Sequence, residues 1–125
     1  MLNRHAPFTI LLVEDEETLR ITTNHMLEIL GFKVIVAETG IQAIQLVQRE
    51  NPDFTLVISD FRMQHMDGVT TMTILRELRP GLKGILCTGT PKWDCMKGHT
   101  LKDFFYLGKP FGMQELDDDI NQALA

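Results

Sequence analysis

The chain has 125 residues, 44% of them hydrophobic, which suits one domain with one core and leaves no room for a second. Its net charge of −5 argues against nucleic acid as a direct partner and favours a cation near an acidic site. The two cysteines, Cys87 and Cys95, lack zinc-ligand spacing and read as free thiols of a reducing cytosol, with Cys87 a small buried hydrophobe. Residues 1–7 lack the apolar core of a signal peptide and read as an N-terminal extension, so residues 1–125 form one domain. No run approaches the ~20 apolar residues of a membrane span.

Phe8 to Val13 is apolar apart from Thr9, the pattern of a strand buried on both faces. It runs into Glu14-Asp15-Glu16-Glu17. Glu16 and Glu17 suit the positive end of a helix, but Glu14 and Asp15 sit at the end of a buried strand. Leu19, Thr23, Met26, Leu27 and Leu30 recur at helical spacing, and Gly31 is a natural stop. Lys33 to Ala37 reads as a second strand. Thr39 then caps a helix with Ile41, Ala43, Ile44 and Val47 on its apolar side, closed by Asn51-Pro52-Asp53. Phe54 to Ser59 is the third strand. Val69, Met72, Leu75 and Leu78 predict a third helix, ended by Pro80-Gly81. Gly84 to Thr88 is a fourth buried strand. Thr90-Pro91 can open a helix, but Gly98 leaves only about two turns. Phe104 to Leu107 is the fifth strand, and Met113, Leu116, Ile120 and Ala123 form a closing helix.

Five strands alternating with five helices predict an α/β fold, a doubly wound parallel sheet with helices on both faces. The flavodoxin-like strand order 2-1-3-4-5 would make strands one and three neighbours at the switch point, where ligands bind beyond the carboxyl ends of the strands. The stretch Leu56-Val57-Ile58-Ser59-Asp60 delivers one carboxylate to that edge, opposite Glu14 and Asp15. Unpaired carboxylates ~4 Å apart repel by about 4 kcal/mol per pair at an effective dielectric near 20. A hard divalent cation would relieve this, and Mg²⁺ suits a few carboxylates plus water and phosphate.

These residues bring out a family likeness. Val13-Glu14-Asp15, Asp60, Met63, Met66-Asp67-Gly68, Thr88-Gly89 and Lys109-Pro110-Phe111 stand in order at successive strand ends. In this the chain resembles the receiver domain of two-component response regulators, chemotaxis-regulator-like, over nearly its whole length. The resemblance implies that Asp60 accepts a phosphoryl group from a histidine kinase or a histidine phosphotransfer protein. It implies Mg²⁺ held by Glu14, Asp15, Asp60 and the backbone carbonyl of Arg62. Thr88 would bond the phosphoryl group through its hydroxyl, Lys109 would pair with it, and Tyr106 would hold the aromatic switch position. The Lys109-Pro110 bond would be cis. The output surface, for an effector domain or protein, would be the fourth predicted helix, the fifth strand and the closing helix. Its mobile part would be residues 91–100, with Trp93 as an aromatic anchor. Such a protein is cytoplasmic, and it is no enzyme beyond its own phosphorylation and dephosphorylation.

The pattern also has departures. Gln64 stands where the family usually has proline, and Arg62, two residues past Asp60, is bulky and charged. Leu101-Lys102-Asp103 replaces the usual Gly-Ala pair before the fifth strand. Three other functions compete. A flavin module on the same fold would carry its phosphate loop after strand one, where this chain places acids. A haloacid dehalogenase-type phosphatase would carry a second aspartate at the position of Arg62. A docking-only pseudo-receiver would not need the intact acid set.

Overall fold

A computed structural model describes residues 8–50, 52–89 and 104–125. Five parallel strands, β1 (Thr9–Val13), β2 (Lys33–Ala37), β3 (Leu56–Asp60), β4 (Lys83–Thr88) and β5 (Phe104–Gly108), form one sheet in the order β2-β1-β3-β4-β5. The order is the one expected from the sequence. The described helices are α1 (Glu17–Ile29), α2 (Gly40–Glu50), α3 (Gly68–Leu78) and α4 (Met113–Leu124). Here α4 is the closing helix of the sequence analysis. The short helix expected within residues 91–100, together with Trp93 and Cys95, lies outside the described residues.

The strands are apolar because both sheet faces are covered. On one face Leu11, Val13, Val57 and Leu86 pack against Ala43 and Val47 of α2 and Val69, Met72 and Leu75 of α3. On the other, Ile10, Leu12, Ile58, Ile85 and Cys87 pack against Leu27 of α1 and Leu116, Ile120 and Ala123 of α4. The two layers follow from the strand period of two, which sends neighbouring side chains to opposite faces.

Local chemistry sets the helix ends. The Glu16 carboxylate accepts from the Leu19 N–H at 2.6 Å and starts α1. At its other end Gly31 has φ 94°, and its N–H donates to the Glu28 carbonyl while the Phe32 N–H donates to that of Leu27. That paired arrangement needs the left-handed conformation glycine adopts without strain. Thr39 Oγ1 accepts from the Gln42 N–H at 2.9 Å, so Thr39 caps α2 as expected. Asp67 caps α3, its carboxylate accepting from the Thr70 N–H at 2.7 Å.

The sequence reading needs correction at three apolar positions. Ile41, on the expected apolar side of α2, and Leu78 and Met113, which share the helical spacing of α3 and α4, are 47%, 41% and 39% exposed. Each stands at or next to a helix end, Ile41 second in α2, Leu78 last in α3 and Met113 first in α4. β3 also begins at Leu56 rather than Phe54 and includes Asp60 as its last residue.

Candidate functional site at the carboxyl edge of the sheet

β1 and β3 are hydrogen-bonded neighbours, with Val13 opposite Ser59. This register brings the residues that follow β1 beside the end of β3. Glu14, Asp15 and Asp60 each offer a carboxylate oxygen, and these oxygens lie within 4.8 Å of one another. Glu14 and Asp60 are buried, 4% and 8% exposed, and Asp15 is half-buried.

Lys109 reaches the site from the end of β5. Its ammonium forms an ion pair with Asp60 Oδ1, and its backbone N–H donates to the Thr88 carbonyl at 2.9 Å. The Lys109–Pro110 bond is cis. Thr88, at the end of β4, is buried, and Tyr106 is half-buried against the α2–α3 core layer. Leu86 is the register partner of Tyr106. Thr88, two residues beyond Leu86, therefore belongs to the same face of the sheet as Tyr106. Arg62 is exposed, its guanidinium carbon 5.8 Å from the Phe61 ring centroid. Glu14, Asp15, Asp60, Thr88 and Lys109 thus stand at one sheet edge, whereas Tyr106 lies within β5.

The electrostatics show strain around the acids. The Glu14 carboxyl is pushed up from 4.5 to about 7. Burial is the main cause, and Asp60 and Asp15 add to it against the Glu16 N–H and the Lys109 charge. Asp60 is also raised, chiefly by burial and further by Asp15, although Lys109 and the Phe61 N–H oppose the shift. Burial likewise raises the Cys87 thiol, which sits beneath these groups and behaves as the small buried hydrophobe expected. Three clustered oxygens, two on buried acids that resist ionisation, form a donor set suited to a hard cation.

Space is limited below the site. The gap lined by Glu14, Asp60, Cys87, Lys109 and Phe111 measures about 10 Å³, the size of one water. Any larger group on Asp60 must lie on the solvent side. Two wider grooves, of about 230 and 380 Å³, lie elsewhere and contain none of the predicted site residues.

Three contacts around the site were not foreseen from the sequence. The Arg20 guanidinium donates to the Glu14 carbonyl at 3.1 Å, bracing the turn after β1. Gly68 begins α3 so close to β3 that a Cβ there would collide with the Asp60 carbonyl oxygen and meet Leu86 Cδ2 at 2.8 Å. The Gln64 N–H donates to Asp15 Oδ2 at 2.9 Å, linking the loop after β3 to the loop after β1. The Asp-Gly pair hinted at the second of these. The other two had no signal along the chain.

Comparison with known proteins agrees with this geometry. The sequence pattern of the response regulator receiver domain matches residues 10–121. The chain is 31% identical over 93% of its length to the sensor kinase CckA of Brucella abortus, of which it spans 12%. It is 28% identical to the sporulation initiation phosphotransferase F of Bacillus subtilis, covering 92% of each. A crystal structure of a response regulator receiver protein from Sinorhizobium medicae superimposes with a TM-score of 0.84 at 27% identity, covering 94% of both chains. With the family pattern matched across most of its length and the same fold found in its relatives, the chain belongs to the response regulator receiver domain family.

Proposed function

We propose that this receiver domain takes a phosphoryl group onto Asp60 from the phosphohistidine of a histidine kinase or histidine phosphotransfer protein. The observation that carries this reading is the buried Asp60 carboxylate, ion-paired with Lys109 and clustered with Glu14 and Asp15 at the open edge of the sheet. An Asp60 oxygen attacks phosphorus in line with the leaving group. The phosphorus–nitrogen bond breaks, and its electron pair stays on the imidazole nitrogen. The product is an acyl phosphate, whose phosphoryl oxygens carry roughly −1.5 to −2 charges in place of the single charge of the carboxylate.

Glu14, Asp15, Asp60 and the Arg62 carbonyl would hold Mg²⁺. When bound, the ion supplies positive charge to the carboxylates and to the phosphoryl oxygens. The Lys109 ammonium exchanges its carboxylate partner for a phosphoryl oxygen. The Thr88 hydroxyl donates to another, and Tyr106, on the same sheet face, moves with it. Output leaves by residues 91–100, β5 and α4 toward an effector domain or protein. On this reading residues 1–125 are one receiver domain with an extension at 1–7. It works in the cytoplasm and turns over no substrate beyond its own phosphoryl group. Among the described residues no helix is long and apolar enough to cross a membrane.

The test is mass spectrometry after treatment with acetyl phosphate, with and without Mg²⁺. One phosphoryl mass should be added only with Mg²⁺, and Asp60→Asn should abolish it. Equal labelling of that variant would remove Asp60 as the acceptor.

A further inference from the structure

The geometry points to the Gln64 backbone N–H as the group that positions Asp15 for cation binding. This inference rests on the proposed Mg²⁺ role of Asp15. Asp15 is a short side chain on a half-exposed turn, free to rotate unless something holds it. The Gln64 N–H donates to Oδ2 at 2.9 Å, which fixes the orientation of a carboxylate that has one oxygen within 4.8 Å of those of Glu14 and Asp60.

The donor is itself constrained. The Gln64 carbonyl accepts from the Met66 N–H at 2.8 Å across His65, whose φ is 72°. A three-residue turn through a left-handed non-glycine residue is sterically costly, and it persists only where surrounding contacts hold it. Further along, the Gly68 N–H donates to the Phe61 carbonyl at 2.8 Å, and the Phe61 N–H to that of Cys87 at 2.9 Å. The loop is therefore clamped to β4 at its base and grips Asp15 at its tip. A hydrogen bond to a ligating carboxylate sets its orientation, and loss of such a partner typically weakens metal binding.

The role belongs to the main chain, so two substitutions at one position separate it from the side chain. Gln64→Ala keeps the N–H, whereas Gln64→Pro removes it. Mg²⁺ affinity would be measured by titration calorimetry, without any phosphoryl donor. We expect Gln64→Pro to weaken binding about tenfold, while Gln64→Ala stays close to wild type. If both variants match wild type, or both weaken alike, the amide does not position Asp15. Wild-type protein that binds no Mg²⁺, or whose binding survives Asp15→Asn, would instead overturn the metal reading on which this inference rests.

Amide hydrogen exchange provides a second measurement should Gln64→Pro fail to fold. The Gln64 amide should be protected in the wild type and exposed in Asp15→Ala. A Gln64 amide that exchanges freely in the wild type would defeat the proposal.

Discussion

Ile58 and Asp60 stand two residues apart on β3 and belong to the same face of the sheet, yet burial has opposite consequences for them. Ile58 is 1% exposed among Ile10, Leu12, Leu27, Ile85 and Ile120, and each apolar contact stabilises the fold. Asp60 is 8% exposed beside Glu14 and Asp15, and its burial raises its proton affinity against the pull of Lys109. The interior of the sheet is thus satisfied by its own side chains. Its carboxyl edge sets the Lys109 ammonium against three clustered carboxylates, and it gains stability from whatever supplies more positive charge. Binding at this edge and stability of the fold are therefore linked.

Ile58→Ala is the largest perturbation of the satisfied region. It should cost about 3 kcal/mol in denaturant unfolding, the lost burial plus a cavity. Folded Ile58→Ala should still take up phosphate on Asp60. A variant of unchanged stability would show that this layer is not tightly packed.

Glu14→Gln tests the deficient region. In the folded chain Glu14 titrates near 7 rather than 4.5, so between those values the folded state holds more protons than the unfolded one. Metal-free stability should therefore fall as pH rises through that window and level off above it. The raised Asp60 carboxyl acts in the same direction. Glu14→Gln removes its share of the slope and should stabilise the metal-free protein by about 1–2 kcal/mol at pH 8, seen in melting curves. Mg²⁺ should flatten the wild-type slope, because a cation favours the ionised carboxylates. A metal-free stability that rises from pH 4.5 to 7 would contradict this electrostatic picture.

Arg62→Ala probes the outer rim, where the effect should be smallest. Arg62 is exposed and two residues beyond Asp60, and on the proposed function its side chain would stand beside water approaching the phosphoryl group. Shortening it should speed loss of the phosphoryl group about threefold, less than 1 kcal/mol of barrier, without preventing its uptake. An unchanged decay curve would make Arg62 a solvent-facing charge only.

Much of this edge was legible along the chain because its signals are local. Apolar runs marked the strands, and the acids and lysine stood where those runs stopped. Periodicity placed the core sides of the helices but overreached at Ile41, Leu78 and Met113. A repeat shows which residues share a helix side, not how far the sheet extends beneath it. Asp60 could be named from its strand and from the family resemblance, but its surroundings depend on strand order. Only the β1–β3 pairing brings Glu14 and Asp15, more than forty residues earlier, beside it. The raised Glu14 carboxyl follows from that convergence and from burial, neither of which is a property of glutamate at position 14. The Gln64–Asp15 link was the least legible, since its partners are 49 residues apart and its donor is a main-chain N–H. Every residue except proline carries that group, so sequence could show only that Gln64 is able to donate, and tertiary structure decided to what.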